Sequence, residues 1–161
     1  MIAGQPSIWY APSLCFVMLD LRRFKDFKVT DPVYSSLMLA AEKAGDITPA
    51  IYNRYFSQCP GSQQLMSHID ELVQGKMMEE VFRLIMVEQY EQESAYLNFE
   101  VKNHKYAYSV LPHMYENLLE AVHYTVRAAL RKDWSEEFER AWQARISALI
   151  GEIEQRQDAA Y

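Results

Sequence analysis

Four histidines, two cysteines and 22 carboxylates hold most of the chemical capacity of this sequence. A metal held by protein side chains alone needs three or four ligands at close, repeated spacing. No HExxH, no CxxC and no paired ExxH is present, so that chemistry is poorly supported. Cys15 and Cys59 stand far apart, and Cys59 precedes Pro60 with no base beside it, which argues against a nucleophile. The pairs Glu79/Glu80, Glu91/Glu93 and Glu136/Glu137 fall on expected helix surfaces or caps and read as solvated faces rather than acid–base dyads. Among the histidines, His113 follows Pro112 at a helix start and is expected in solvent. His123 lies beside an apolar stripe, a packing position, and His68 falls in a corner. His104 ends a short helix, followed by Tyr106 and Tyr108 and then by Pro112. It is the histidine best placed to ligate something, although a solitary histidine is more often structural.

The elements that position these side chains follow from punctuation and periodicity. Five of the six prolines lie in the first 60 residues, and no glycine occurs between Gly75 and Gly151. The later part therefore reads as nearly continuous helix broken at Pro112. Asp31-Pro32 is a helix start, a capping acid before proline, and that helix stops at Gly45. Thr48-Pro49 repeats the signal, with Ile51, Tyr52, Tyr55 and Phe56 at helical spacing up to Cys59-Pro60. A short helix is expected at 62–67, and a longer one at 70–89 with an inward stripe of Leu72, Val73, Met77, Met78, Val81, Phe82, Ile85 and Met86. Helices at about 94–105, from Pro112 and from Ser135 complete an all-α chain of seven to eight helices, the last two long and paired. Residues 1–29 form a leader rich in proline and aromatic residues, with a short helix expected near 13–27.

Composition narrows the function. With 161 residues, 50% hydrophobic and 24% charged, the chain suits a folded domain with room for a pocket. A net charge of −6 sets it against phosphate backbones and anionic lipid, so neither nucleic acid nor membrane is an expected partner. Five scattered glycines provide no phosphate cradle, which excludes Walker and Rossmann chemistry. The apolar run from Leu14 to Leu19 is short and its basic residues, Arg22 and Arg23, come after it, unlike a signal peptide. A soluble, cytoplasmic chain with reduced thiols is the expectation.

The helix order and four local stretches together resemble the globin family over about residues 31–157, most closely bacterial single-domain haemoglobins and the globin domain of flavohaemoglobins. ITPAIYNRYFSQCP (47–60) looks like the second globin helix and its corner proline, and VQGKMMEEVF (73–82) looks like the distal helix. Asn103-His104 followed by LPHMY (111–115) looks like the proximal helix and the start of the next, and Ala141-Trp142 matches the last helix. The resemblance implies a globin-like fold over 30–161, with residues 1–29 as an N-terminal extension that packs on the body or at a homodimer contact. It implies haem b as cofactor, with His104 as the proximal iron ligand. Met66, Met78, Phe82, Leu111 and Tyr115 would surround the haem, and Tyr52 and Gln74 would donate hydrogen bonds to bound O₂ or another diatomic gas such as NO. Charge-assisted bonds to a ligand that gains negative charge slow its release by roughly tenfold to a hundredfold.

The sequence also departs from the family. Met66 stands where relatives have a nearly invariant Phe, and Glu100 stands where an apolar residue precedes the proximal histidine by one turn. His104 lies one residue further from Pro112 than in close relatives, implying a bulge, and Gln157 replaces a glutamate that supports the proximal histidine. No flavin or nicotinamide domain accompanies the globin-like stretch, so NO dioxygenase activity would need an external reductase as partner. The resemblance thus implies O₂ binding, sensing or NO scavenging. A haem-free globin-fold regulatory or interaction module is the alternative.

Overall fold

The computed structural model describes residues 30–158. The leader at 1–29, its short helix and its place on the body or at a dimer contact lie outside the described residues. Seven α-helices follow in order: α1 (Pro32–Ala44), α2 (Thr48–Gln58), α3 (Pro60–Leu65), α4 (Glu71–Met86), α5 (Ser94–Ala107), α6 (Pro112–Leu130) and α7 (Glu136–Asp158). Short 3₁₀ turns at Tyr90–Glu93 and Arg131–Asp133 lead into α5 and α7, and no strand occurs among the described residues. No described helix is long and apolar enough to cross a membrane.

Local chemistry accounts for the boundaries. Asp31 caps α1, its Oδ1 accepting from the Val33 and Tyr34 N–H groups at 2.7 and 3.1 Å, and Pro32 opens the first turn. Gly45 closes α1 at φ 70°, where a side chain would be strained, and its N–H returns to the Ala41 carbonyl. At α2 the cap shifts from Thr48: the Asp46 carboxylate takes the Thr48 N–H at 2.9 Å, so Thr48 is already inside the helix. Ser135 caps α7 through the Phe138 N–H. The helix expected at 62–67 starts at Pro60 instead, and α4 stops at Met86, three residues before its expected end.

One buried core joins the helices. Trp142 on α7 is fully buried, and its indole N–H donates to Ser36 Oγ on α1 at 2.8 Å. That hydroxyl in turn donates to the Val33 carbonyl. Arg145 on α7 ties two helix ends together. Its guanidinium reaches Asp31 Oδ2 at 2.7 Å and the carbonyls of Ile85 and Val87 at 2.9 and 3.4 Å. The start of α1 and the end of α4 are thereby fixed to α7 by charge-assisted bonds. Helices α1 and α2 pack on α6, and α4 and α5 pack on α7. The space left between these groups holds the site.

Candidate functional site

Each wall of the cavity has a local cause. The α2 turn presents Tyr52 and Tyr55, the α3 corner presents Ser62, Leu65 and Met66, and α5 carries His104. Together with α4, α6 and α7 they enclose a cleft of about 590 Å³. That size lies within the roughly 300–1,000 Å³ usual for small-molecule and cofactor pockets, and the lining is predominantly apolar.

His104 is held from two sides. Its Nδ1 lies 2.9 Å from the Tyr115 hydroxyl on α6, and its Nε2 lies 3.6 Å from Glu100 Oε2, one turn earlier on α5. Burial lowers the imidazole pKa and the Glu100 charge opposes the shift, so the ring is neutral at pH 7. Burial, and then the Glu100 charge, raise the Tyr115 hydroxyl pKa, so it keeps its proton. A neutral ring that donates Nδ1–H to this oxygen keeps its Nε2 lone pair for a metal. The end of α5 shapes this arrangement. Ser109 adopts φ 55°, and the Val110 N–H returns across a wide turn to the His104 carbonyl at 3.0 Å.

The distal side differs from expectation by one residue of register. Tyr52 lines the cleft, is 4% exposed, and donates to the Gln74 main-chain carbonyl at 3.1 Å. Burial raises its pKa, which keeps the hydroxyl protonated. The Gln74 side chain turns away from the cleft: its amide donates to the Ile69 carbonyl at 3.2 Å. Met78 and Phe82 are buried in the core next to the cleft wall rather than in it. The cleft face of α4 is instead Val73, Met77, Val81 and Leu84, with Glu80 between. Leu72 and Val73, expected inward, are 70% and 43% exposed because the first turn, capped by Asp70 through the Val73 N–H, sits at the rim. On the proximal side Leu111 is 50% exposed at the start of α6, and Val110 takes its place in the lining. Thus His104, Tyr115, Met66 and Tyr52 converge on one cleft, and Gln74, Met78, Phe82 and Leu111 lie beside it.

Sequence reasoning placed Tyr55, Val73, Met77 and Val81 on inward helix faces without assigning them to the cleft, and it missed Tyr96 and Leu84; it did not single out the Val73–Met77–Val81–Leu84 face. The last was hidden because α4 carries apolar doublets, Met77/Met78 and Val81/Phe82, so two adjacent stripes fit equally well. Glu100 was visible only as a departure. In the structure it is the carboxylate nearest His104, whereas Gln157 is buried at the end of α7 with its carbonyl accepting from Lys105. Asp70, Glu80 and Glu100 line the cleft, and among the described residues no lysine or arginine does. Glu80 is bridged to Arg83 at 2.9 Å, and Tyr96 beside it is pushed up to about 12 by burial and by Glu80 and Glu100.

Among the described residues no three His, Cys, Asp or Glu side chains converge as a metal-binding group. One anchored imidazole facing an apolar cleft is the donor set suited to a metal whose other ligands belong to a flat macrocycle, and on that ground the residues fit haem. No curated protein matches the chain. A family model described as Globin matches residues 49–153, about two-thirds of the sequence, spanning every helix that lines the cleft and both Tyr52 and His104. With the all-α architecture and this cleft, the match makes the chain a member of the globin family.

Proposed function

We propose that this globin holds haem b through His104 and binds O₂ reversibly in the cleft beneath Tyr52. Membership of the globin family supports haem binding in general. The observation that carries the finer reading is the His104–Tyr115 contact at 2.9 Å inside an apolar cleft of sufficient size. The bound haem would supply an iron that takes up a diatomic gas. His104 gives Nε2, while Tyr115 fixes the ring orientation from Nδ1. Glu100 must leave its present approach to Nε2 and then remains as a charge one turn away. Met66, Val81, Leu118 and Leu149 keep water out. Tyr52 is the distal donor, and to serve a bound ligand its proton swings from the Gln74 carbonyl. The Gln74 amide is held by the Ile69 carbonyl and takes no part in holding the ligand. NO is a second ligand the same donor would hold, and its turnover requires a separate reductase.

Glu100 at 3.6 Å from Nε2 favours a second reading, a haem-free globin-fold regulator in which the carboxylate keeps the imidazole occupied. The visible absorption spectrum of protein supplied with haem, oxidised, reduced, and under O₂ and CO, separates the two. A strong Soret band and a stable oxy form are expected. His104→Ala is expected to lose haem at least tenfold faster than wild type on gel filtration. Undiminished haem retention by that variant overturns the assignment of His104, and no Soret band in wild type establishes the haem-free reading.

A further inference from the structure

Glu100 and His104 stand four residues apart on α5, so helical geometry sets both on the face that lines the cleft. The two imidazole nitrogens meet different chemistry. Nδ1 lies 2.9 Å from the Tyr115 hydroxyl, a group that can donate or accept. Nε2 lies 3.6 Å from Glu100 Oε2, and a carboxylate only accepts. Among the described residues Glu100 has no other ion-pair partner. Arg83, stacked over the Tyr96 ring, is taken by Glu80 and Glu93 at 2.9 Å each. A neutral ring carries one proton and must assign it to one of its two nitrogens. The Glu100 charge draws that proton to Nε2. Nδ1 then accepts the Tyr115 O–H, which burial, and then Glu100, keep protonated. Both ring nitrogens are matched in that state, and Nε2 has no free lone pair.

We propose that Glu100 is a positioning residue that holds the ring proton of His104 on Nε2 and so withholds the nitrogen that ligates. The inference rests on His104 as the iron ligand. Ligation then requires three movements in this chain. Glu100, already part exposed, swings away from Nε2 toward solvent. The proton on Nε2 passes to water while another is taken up at Nδ1. The Tyr115 hydroxyl rotates to accept the new Nδ1–H. One proton leaves and one arrives, so the ring stays neutral and no net proton is bound. Glu100 therefore favours the empty cleft over the loaded one and slows loading.

The first test needs no haem. Full-length, haem-free protein is labelled with ¹⁵N in its histidine rings, and long-range proton–nitrogen correlation spectra at pH 7 read which His104 nitrogen carries the proton. Wild type is expected with Nε2–H as the major form. Glu100→Leu, which removes both charge and acceptor, is expected to lower the ratio of Nε2–H to Nδ1–H at least about threefold. A major Nδ1–H form in wild type, or an unchanged ratio in the variant, overturns the proposal. Loading is read by stopped-flow mixing with CO–haem, followed at the Soret band. Its ligation phase is expected to be at least about threefold faster in Glu100→Leu, and equal rates also overturn the proposal. No Soret band in wild type or variant overturns the haem reading instead, and the nitrogen spectra still decide what Glu100 does to His104.

Discussion

At Tyr52 one hydroxyl proton has two claimants, the Gln74 carbonyl seen at 3.1 Å and any gas bound in the cleft. Tyr52→Phe removes both bonds. Loss of the first is expected to lower stability by about 1 kcal/mol, read from the urea midpoint. Loss of the second, a charge-assisted bond, is expected to speed O₂ release about tenfold to a hundredfold, read by stopped-flow displacement with CO. A stability loss with an unchanged off-rate would leave Tyr52 a packing residue. His123 is a residue of another kind. It stacks on Trp142 with ring centroids 5.8 Å apart, approaches Glu139 at 3.5 Å, and has no part in the cleft. Burial depresses its pKa, more than Glu139 restores. The folded state therefore disfavours protonation. Its contribution is full above the unfolded value near 6.5 and is lost as pH falls below that value. The stability of wild type is expected to decline between pH 7 and 5.5 by at most about 1.4 kcal/mol per pH unit from this group, and His123→Gln to flatten that part of the profile. An equally steep profile in the variant would place the pH dependence elsewhere.

Among elements, α1 shows how a helix end can join two others. Asp31 both caps α1 and neutralises Arg145, which also holds the last carbonyls of α4. Asp31→Ala removes the cap and leaves a half-buried guanidinium short of its counter-charge. The expected loss is about 2–4 kcal/mol, measured as a thermal or urea midpoint shift. Asp31→Asn keeps an acceptor for the cap and is expected to lose less. Equal losses would assign the whole effect to the ion pair. The start of α1 was legible in sequence because Asp-Pro states its geometry locally, as Pro112 and Ser135 do for α6 and α7. His104, Tyr115, Met66 and Tyr52 were legible only through the order of several weak stretches, since none of them is informative alone. The face of α4 was not legible. Its apolar doublets satisfy the helical period in two registers, and packing against α7 together with the Asp70 cap decides between them. The outward turn of Gln74 follows from the same decision, because the residue that would reach inward sits one position earlier, at Val73.

On the scale of the whole molecule, the cleft is assembled from α2 through α7, so its walls come from segments distant in sequence. Anything bound there contacts all of them and stabilises them together, by an amount set by its concentration relative to its dissociation constant. Cys59 gives this coupling an observable form. It is 6% exposed at the corner between α2 and α3, and the hydroxyl of Ser62, itself part of the cleft wall, lies on its sulfur at 3.0 Å. A buried thiol reacts with an alkylating reagent only during an opening, so its modification acts as a clock for fluctuations of the wall. Filling the cleft should slow that clock. At about a hundredfold excess of ligand over its dissociation constant, alkylation of Cys59 is expected to fall roughly a hundredfold, followed by peptide mass spectrometry that separates Cys59 from Cys15. A rate indifferent to loading would mean that the α2–α3 corner breathes independently of the cleft, and that ligands enter through it without waiting for the rest of the molecule to open.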